Sequence, residues 1–301
     1  MNSKPGTYFI NNITNSMDII NKNILYPYSE VGYYENKFDL KEKHDEFLEL
    51  LVIFDQFCRR HGIKYSLADG TLMGALRHGD FIPWDDDADL MVTRSEYQKI
   101  RQAIKADCSI RLLKIHFLDR ITAPEFDAKK VYLDLFINED MPASKTVFRW
   151  KKFKTLFLRC SFNNNIIRNV RHDNFSKLHK IIRKTASVIL RLLSKIVIFG
   201  RDVFELNDQA VAIGTHKSSG IYTRYTSRMF ETKRRFNIKK YEVGYGDVMF
   251  RGVKLMAILN ADNFLREMYG DYTKLLPEDK RKPEHPVNMM DSPDSCIKWY
   301  N

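Results

Sequence analysis

The residues most able to do chemistry are three carboxylates: Asp87 and Asp89 in Asp87-Ala88-Asp89-Leu90, and Asp134 in Val131-Tyr132-Leu133-Asp134-Leu135-Phe136-Ile137. Side chains two apart on a strand point to the same face, so Asp87 and Asp89 stand side by side. Their mutual repulsion must be offset, and a divalent cation with hard oxygen ligands is the ordinary solution. Asp134 is the lone acid of an apolar strand. Buried without a partner it would cost several kcal/mol or take up a proton, so it too needs company. If its strand lies beside that of Asp87 and Asp89, the three acids converge. They could then hold one or two Mg²⁺ or Mn²⁺ ions about 3.5–4 Å apart, the arrangement that clamps attacking and leaving oxygens in phosphoryl transfer.

Other readings of the same residues stand beside this one. Asp85-Asp86-Asp87 taken alone is an ordinary solvated acidic loop. Asp85, Asp87, Asp89 and Glu96 also fall at positions 1, 3, 5 and 12 of an EF-hand-like calcium loop, but position 6 is Leu90 where the turn requires Gly. Gly70-Thr71 lies where a strand passes into a helix, whose first N–H groups are free to receive a phosphate; the pair is also a common turn and cap. Arg77 could reach a phosphate, pair with Asp80 or cap the helix end. Trp84, beside Pro83, reads more readily as a core residue than as a stacking platform for a base.

The elements that must position these groups follow from periodicity. Asp39 and Glu42 resemble a capping box, after which Leu40, Phe47, Leu50, Leu51, Phe54 and Cys58 recur at helical spacing until Gly62. A strand over 63–68, a short helix over 71–78 closed by Gly79, a turn at 81–84 and a strand at 88–92 come next. Ser95 is placed to cap a helix through Ala106, and 111–117 and 130–137 read as strands, the second apolar enough on both faces to be central. Strand-like stretches near 241–259 precede a helix over 262–269. The class is mixed α/β. The chain divides into an irregular extension (1–36), a catalytic core (37–144), a basic helical insertion (145–201) and a C-terminal part completing the core (202–301).

Composition narrows the setting. The chain has 301 residues, 44% of them hydrophobic, enough for a sizeable core. Four widely spaced cysteines argue against a zinc site or disulfide scaffold and fit a reducing, cytoplasmic compartment. The N-terminus lacks the pattern of a signal peptide, and no stretch is long and apolar enough to span a bilayer. The formal charge is +11, yet 145–201 alone holds fifteen Lys or Arg against one acid, Asp173, which leaves the remainder at −3. The excess is local, and so is the partner it implies.

The run Leu67-Ala68-Asp69-Gly70-Thr71-Leu72-Met73-Gly74-Ala75-Leu76-Arg77-His78-Gly79-Asp80-Phe81-Ile82-Pro83-Trp84-Asp85-Asp86-Asp87-Ala88-Asp89-Leu90 closely resembles the signature of the LicD-type phosphotransferase family, which includes the fukutin-related proteins. Leu133-Asp134-Leu135-Phe136 and Tyr269-Gly270-Asp271-Tyr272, trailed by Pro277, Lys280, Arg281 and His285, are similar to later pieces of the family. The resemblance implies a nucleotidyltransferase-like mixed sheet of the DNA polymerase beta type, flanked by helices, and divalent-metal chemistry. It also implies transfer of a phosphoalcohol such as phosphocholine from a CDP-activated donor to a glycan hydroxyl in cell-surface polysaccharide or lipopolysaccharide synthesis, with release of CMP. By position, Asp87, Asp89 and Asp134 match the metal carboxylates, Gly70 and Thr71 the phosphate-facing turn, and Asp85 a supporting acid; Arg77 stands in the stretch between them. The alternatives are a nucleotidyltransferase moving NMP from an NTP, and a non-enzymatic protein binding membranes or polyanions.

Within the insertion, Leu178, Ile181, Ile182, Ile189, Leu192, Leu193, Ile196 and Val197 form a helical stripe. Lys177, Lys180, Arg183, Lys184, Arg191 and Lys195 lie mostly away from it. Such a helix either packs its stripe on the sheet or lies on an anionic membrane surface. The second option suits a lipid-linked glycan acceptor, which the resemblance implies, and would place the protein peripherally on the inner face of the plasma membrane. Nucleic acid is not expected, because no binding motif accompanies the charge.

Overall fold

The computed structural model describes residues 40–115, 117–160, 177–213, 218–226, 229–236, 244–283 and 297–300. The expected extension over 1–36, and His285, lie outside them.

The first helix, α1 (Lys41–Arg60), buries Phe47, Leu50, Leu51, Phe54 and Cys58, the stripe expected from periodicity. Its N-cap is Leu40, which offers no side-chain cap, so the helix begins one residue later than the Asp39–Glu42 box implies. Gly62, at φ +62°, turns the chain in the left-handed region that suits a residue without Cβ. Strand β1 (Ser66–Leu67) leads into α2 (Asp69–Arg77), and β2 (Asp89–Thr93) into α3 (Arg94–Ala103). Thr93, not Ser95, caps α3, accepting from the Glu96 N–H at 3.3 Å. The threonine already ends a strand in the extended conformation an N-cap requires.

Strands β3 (Arg111–Ile115), β4 (Leu118–Thr122) and β5 (Leu133–Pro142) follow. The main sheet runs β1-β2-β5-β4-β3 and closes on β10 (Ile297–Tyr300), paired with β3. Strand β5 is central. It pairs in parallel with β2; along its other edge it pairs first with β4 and then with β6 (Ser218–Thr226), which carries β7 (Met229–Phe236). The sheet is therefore mixed, with one parallel pair, β2 and β5, among antiparallel neighbours. Leu133, Leu135 and Ile137 face the buried core, whereas Asp134 and Phe136 are only half-buried on the opposite face. The expected central place of β5 holds, with Phe136 on the half-buried face still packed against the core.

A separate hairpin, β8 (Tyr245–Phe250) with β9 (Val253–Ile258), docks on the chain around β1. Ile258 N–H donates to Ser66 Oγ and Met256 N–H to the Tyr65 hydroxyl, both at 3.1 Å. Residues of the hairpin and of α7 (Ala261–Tyr269) share one hydrophobic core with α1 and the sheet.

The basic insertion supplies α4 (Lys145–Cys160) and α5 (Lys177–Ile198), followed by α6 (Val203–Val211). Helix α4 packs on β5 and α6, and α5 rests on α4. The described members of the apolar stripe on α5, Ile189, Leu192, Leu193, Ile196 and Val197, are all exposed. They do not pack on the sheet. Among the described residues no helix is long and apolar enough to cross a membrane.

Candidate active site

Parallel pairing sets Asp89 of β2 directly against Asp134 of β5. Neighbouring strands lie about 4.8 Å apart, so the two carboxylates emerge side by side on one face. Asp87 precedes β2 by two residues and reaches the same place although it is not itself in the strand. One ligand oxygen from each of Asp87, Asp89 and Asp134 lies within 4.8 Å of the others. One oxygen from each of Asp85, Asp86 and Asp87 likewise lies within 4.8 Å of the others. The acidic run is thus a folded extension of the cluster and not a solvated loop: Asp86 is buried and Asp85 and Asp87 are half-buried.

Burial raises the Asp89 carboxyl well above the usual range, and the neighbouring charges of Asp87, Asp69, Asp134 and Asp85 push in the same direction. A cation placed among these oxygens would offset that repulsion. Hard carboxylate donors at this spacing suit a divalent ion such as Mg²⁺ or Mn²⁺. The EF-hand-like reading fails on geometry, because Asp89 and Leu90 lie in a strand where a calcium loop would turn.

Several groups hold the acids in place. Thr71, almost fully buried at the start of α2, accepts from the Asp89 N–H through Oγ1 at 2.8 Å. It therefore fixes the first residue of β2 from within. Gly70 has a steric reason: a Cβ there would lie 2.2 Å from Asp85 Oδ2, so the space left by the missing side chain is taken by the Asp85 carboxylate. Gly74 is similarly enclosed, its absent Cβ falling 2.5 Å from the Asp80 carbonyl oxygen. Arg77 is buried, donating to the Tyr272 carbonyl at 2.7 Å and to His78 Nε2 at 2.8 Å. Asp80 meets Arg251 rather than Arg77, at 3.4 Å. Trp84 is half-buried, outside the main core, with the Arg281 guanidinium 5.6 Å from its ring centroid.

Four contributors escape sequence reasoning. Arg120 of β4 donates through Nε to Asp134 Oδ1 at 2.6 Å, the partner that the lone acid of β5 required. On α1, His44 Nε2 donates to the Asp85 carbonyl at 2.7 Å and Lys43 to that of Asp86, so the helix grips the acidic run by its backbone. Asp69, at φ +40°, accepts from the Tyr269 hydroxyl. Tyr269 and Tyr272 belong to the late Tyr-Gly-Asp-Tyr piece, which therefore closes on α2 behind the carboxylates. The signal that could have found Arg120 is its place in register with Asp134, visible only once β4 and β5 are paired.

Residues 62–179 match the family described as LicD/FKTN/FKRP, nucleotidyltransferase domain. The chain is 27% identical over 268 residues to the lipopolysaccharide cholinephosphotransferase LicD of Haemophilus influenzae, covering 83% of this chain and 97% of that protein. It is 62% identical over 29 residues to the ribitol 5-phosphate transferase FKRP of Mus musculus and of Homo sapiens, a match covering 10% of this chain and 6% of each relative. The LicD-family resemblance carried by residues 67–90 is thereby borne out.

Proposed function

Because residues 62–179 match the LicD/FKTN/FKRP nucleotidyltransferase-domain family, we propose that this chain is a metal-dependent phosphotransferase. It moves a phosphoalcohol, phosphocholine first among the candidates, from a CDP-linked donor to a glycan hydroxyl, releasing CMP, in cell-surface polysaccharide or lipopolysaccharide synthesis. The observation that carries this reading is the convergence of Asp87, Asp89 and Asp134 at the start of the parallel β2–β5 pair. Support for the substrate class comes from the Haemophilus relative, a lipopolysaccharide cholinephosphotransferase.

In this reading Asp87, Asp89 and Asp134 hold the divalent cation, which when bound neutralises charge developing on the donor's phosphates. Thr71 positions Asp89 through its backbone, and Arg120 fixes one oxygen of Asp134. Oδ2 of Asp134 is left to serve the cation or to accept the proton of the attacking hydroxyl, provided that hydroxyl approaches within hydrogen-bond reach. The N-terminus of α2, at Asp69-Gly70-Thr71, presents N–H groups suited to a donor phosphate. Arg77 and Asp85 act from behind this surface: Asp85 fills the space over Gly70, and Arg77 ties α2 to Tyr272.

Calorimetry with CDP-choline, CDP-ethanolamine, CDP-glycerol, CDP-ribitol, CTP and ATP, with and without Mg²⁺, tests the proposal. Metal-dependent binding of one CDP-alcohol, lost in Asp89→Asn, is the expected result. The nucleotidyltransferase domain of the matched family favours one second reading, transfer of NMP from an NTP. Preference for an NTP, with pyrophosphate rather than CMP as product, would establish that alternative and overturn ours.

A further inference from the structure

The exposed side of the basic insertion combines two features that seldom share one surface. Leu192, Ile196 and Phe199 are 58%, 71% and 89% exposed, and Val188, Ile189, Leu193 and Val197 are exposed beside them. On the adjoining helix α4, Trp150 and Phe153 are also exposed and stack at 5.7 Å. The inward side of α5 carries Ser194, fully buried, with Leu190, Arg191 and Ile198 half-buried around it. The helix is therefore seated on α4 by a narrow face while its wide apolar face points outward. Large apolar surface of this kind marks an interaction site.

The charge alongside identifies the occupant. Lys145, Arg149, Lys195 and Arg201 are exposed, and Lys152 and Lys154 half-buried, on the same two helices and their ends. The whole 145–201 segment contains a single acid, Asp173. A second copy of this chain would bring the same cations against them. A nucleic acid would satisfy the cations but leave the leucines, isoleucines and phenylalanines in water. An anionic phospholipid surface satisfies both, with headgroups meeting Lys and Arg and the acyl boundary receiving the apolar side chains.

We infer that α4 and α5 form an in-plane docking surface for an anionic phospholipid bilayer. The helices lie on the membrane and do not cross it, in keeping with their length and charge. The inference stands apart from the carboxylate site and does not depend on the phosphotransferase reading.

Co-sedimentation of the full chain with vesicles of phosphatidylcholine alone, or of phosphatidylcholine mixed with phosphatidylglycerol, tests it. Binding to the mixed vesicles, weakening as salt rises, is expected, with little binding to phosphatidylcholine alone. Arg149→Glu with Lys195→Glu should lower partitioning at least tenfold, each basic residue near such a surface being worth about fivefold. Leu192→Ser with Ile196→Ser should lower it by a similar factor. All four positions lie on the outside, so the thermal midpoint of each variant should stay at the wild-type value. Quenching of Trp150 emission by brominated lipid, lost in Trp150→Phe, provides a readout on the unaltered surface. Equal partitioning of wild type and both variants, or an absence of quenching, would overturn the inference. So would sedimentation of the free protein as a dimer that the Leu192→Ser, Ile196→Ser variant abolishes.

Discussion

Adjacent residues of one strand serve two buried charged clusters of opposite character. Strand residues alternate in direction, so Arg120 of β4 turns to the face bearing Asp89 and Asp134, and Asp119 turns to the other. On the second face Lys114 meets Asp119 at 3.0 Å and Asp208 at 2.7 Å. The Tyr97 hydroxyl donates to Asp119 at 2.6 Å, and Arg94 pairs with the fully buried Glu139. There burial works against the charged forms, but Asp119 and Asp208 outweigh it and raise Lys114, and Lys114 and Arg94 outweigh it and lower Asp208, whereas at Asp119 burial prevails over Lys114 and raises the carboxyl. On the first face burial and neighbouring charges act together to raise Asp89. One cluster is built around the protein's own cations; the other gathers the carboxylates of Asp87, Asp89 and Asp134, with Arg120 on the last of them, a set that could hold a cation. Buried charge alone therefore does not set the two faces apart; the sign of the charges gathered on each does.

The largest effect should come from the carboxylate-rich side. Asp89→Asn is expected to reduce transfer on the order of a thousandfold, about 4 kcal/mol in transition-state stabilisation. Its thermal midpoint should hold or rise, since a like-charge repulsion is relieved. Turnover under saturating Mg²⁺ together with a melting curve checks both, and a large fall in midpoint would make Asp89 a structural acid like those of the other face. Lys114→Met should do the reverse. Leaving Asp119 and Asp208 without their shared cation should cost about 3 kcal/mol of stability in urea unfolding, while turnover per folded molecule stays near wild type.

The difference also explains what is legible in the sequence. Asp87, Asp89 and Asp134 stand out because an i, i+2 acidic pair and a lone acid in an apolar strand are local patterns. The α1 stripe and the central place of β5 are local in the same sense. Strand β4, and with it Arg120 and Asp119, has no such signature: Leu118-Asp119-Arg120-Ile121-Thr122 reads as nothing until β3 and β5 flank it. The anchoring of the acidic run by Lys43 and His44, more than forty residues away, depends on how α1 crosses the fold. Within the basic insertion, composition alone cannot separate surface cations from buried ones. Lys151 and Arg159 are fully enclosed, Arg159 lying 4.6 Å from the Phe117 ring centroid, whereas Arg149 and Lys195 face outward.

Lys151 sharpens the comparison further, since on the compensated face it is a cation whose burial outweighs the acids around it. Burial lowers its amine to about 8, with Arg94 adding to the shift and Glu139 opposing it. The unfolded chain holds that proton up to its ordinary value near 10.5. Between about pH 8 and 10.5 the unfolded state therefore binds more protons, and stability should rise with pH through that window. Lys151→Met should remove the rise and stabilise the protein at neutral pH by on the order of 2 kcal/mol. Denaturant unfolding of both proteins at a series of pH values measures it; parallel curves would mean that Lys151 is as well compensated as Lys114.

The smallest effect should appear at Arg120, the cation paired with Asp134. Arg120 holds Oδ1 of Asp134 by a planar Nε–H at 2.6 Å, with both side chains largely enclosed. Lysine preserves the charge but not the fixed direction of that donor. Arg120→Lys should accordingly reduce turnover about tenfold, near 1.4 kcal/mol, and weaken apparent Mg²⁺ affinity while leaving donor binding at saturating metal close to wild type. Arg120→Gln, which retains a donor but removes the charge, should lose more. A purely structural arginine would lower the melting temperature in both variants without separating Mg²⁺ dependence from donor affinity. That separation is what distinguishes orienting a metal carboxylate from bracing the strand it stands on.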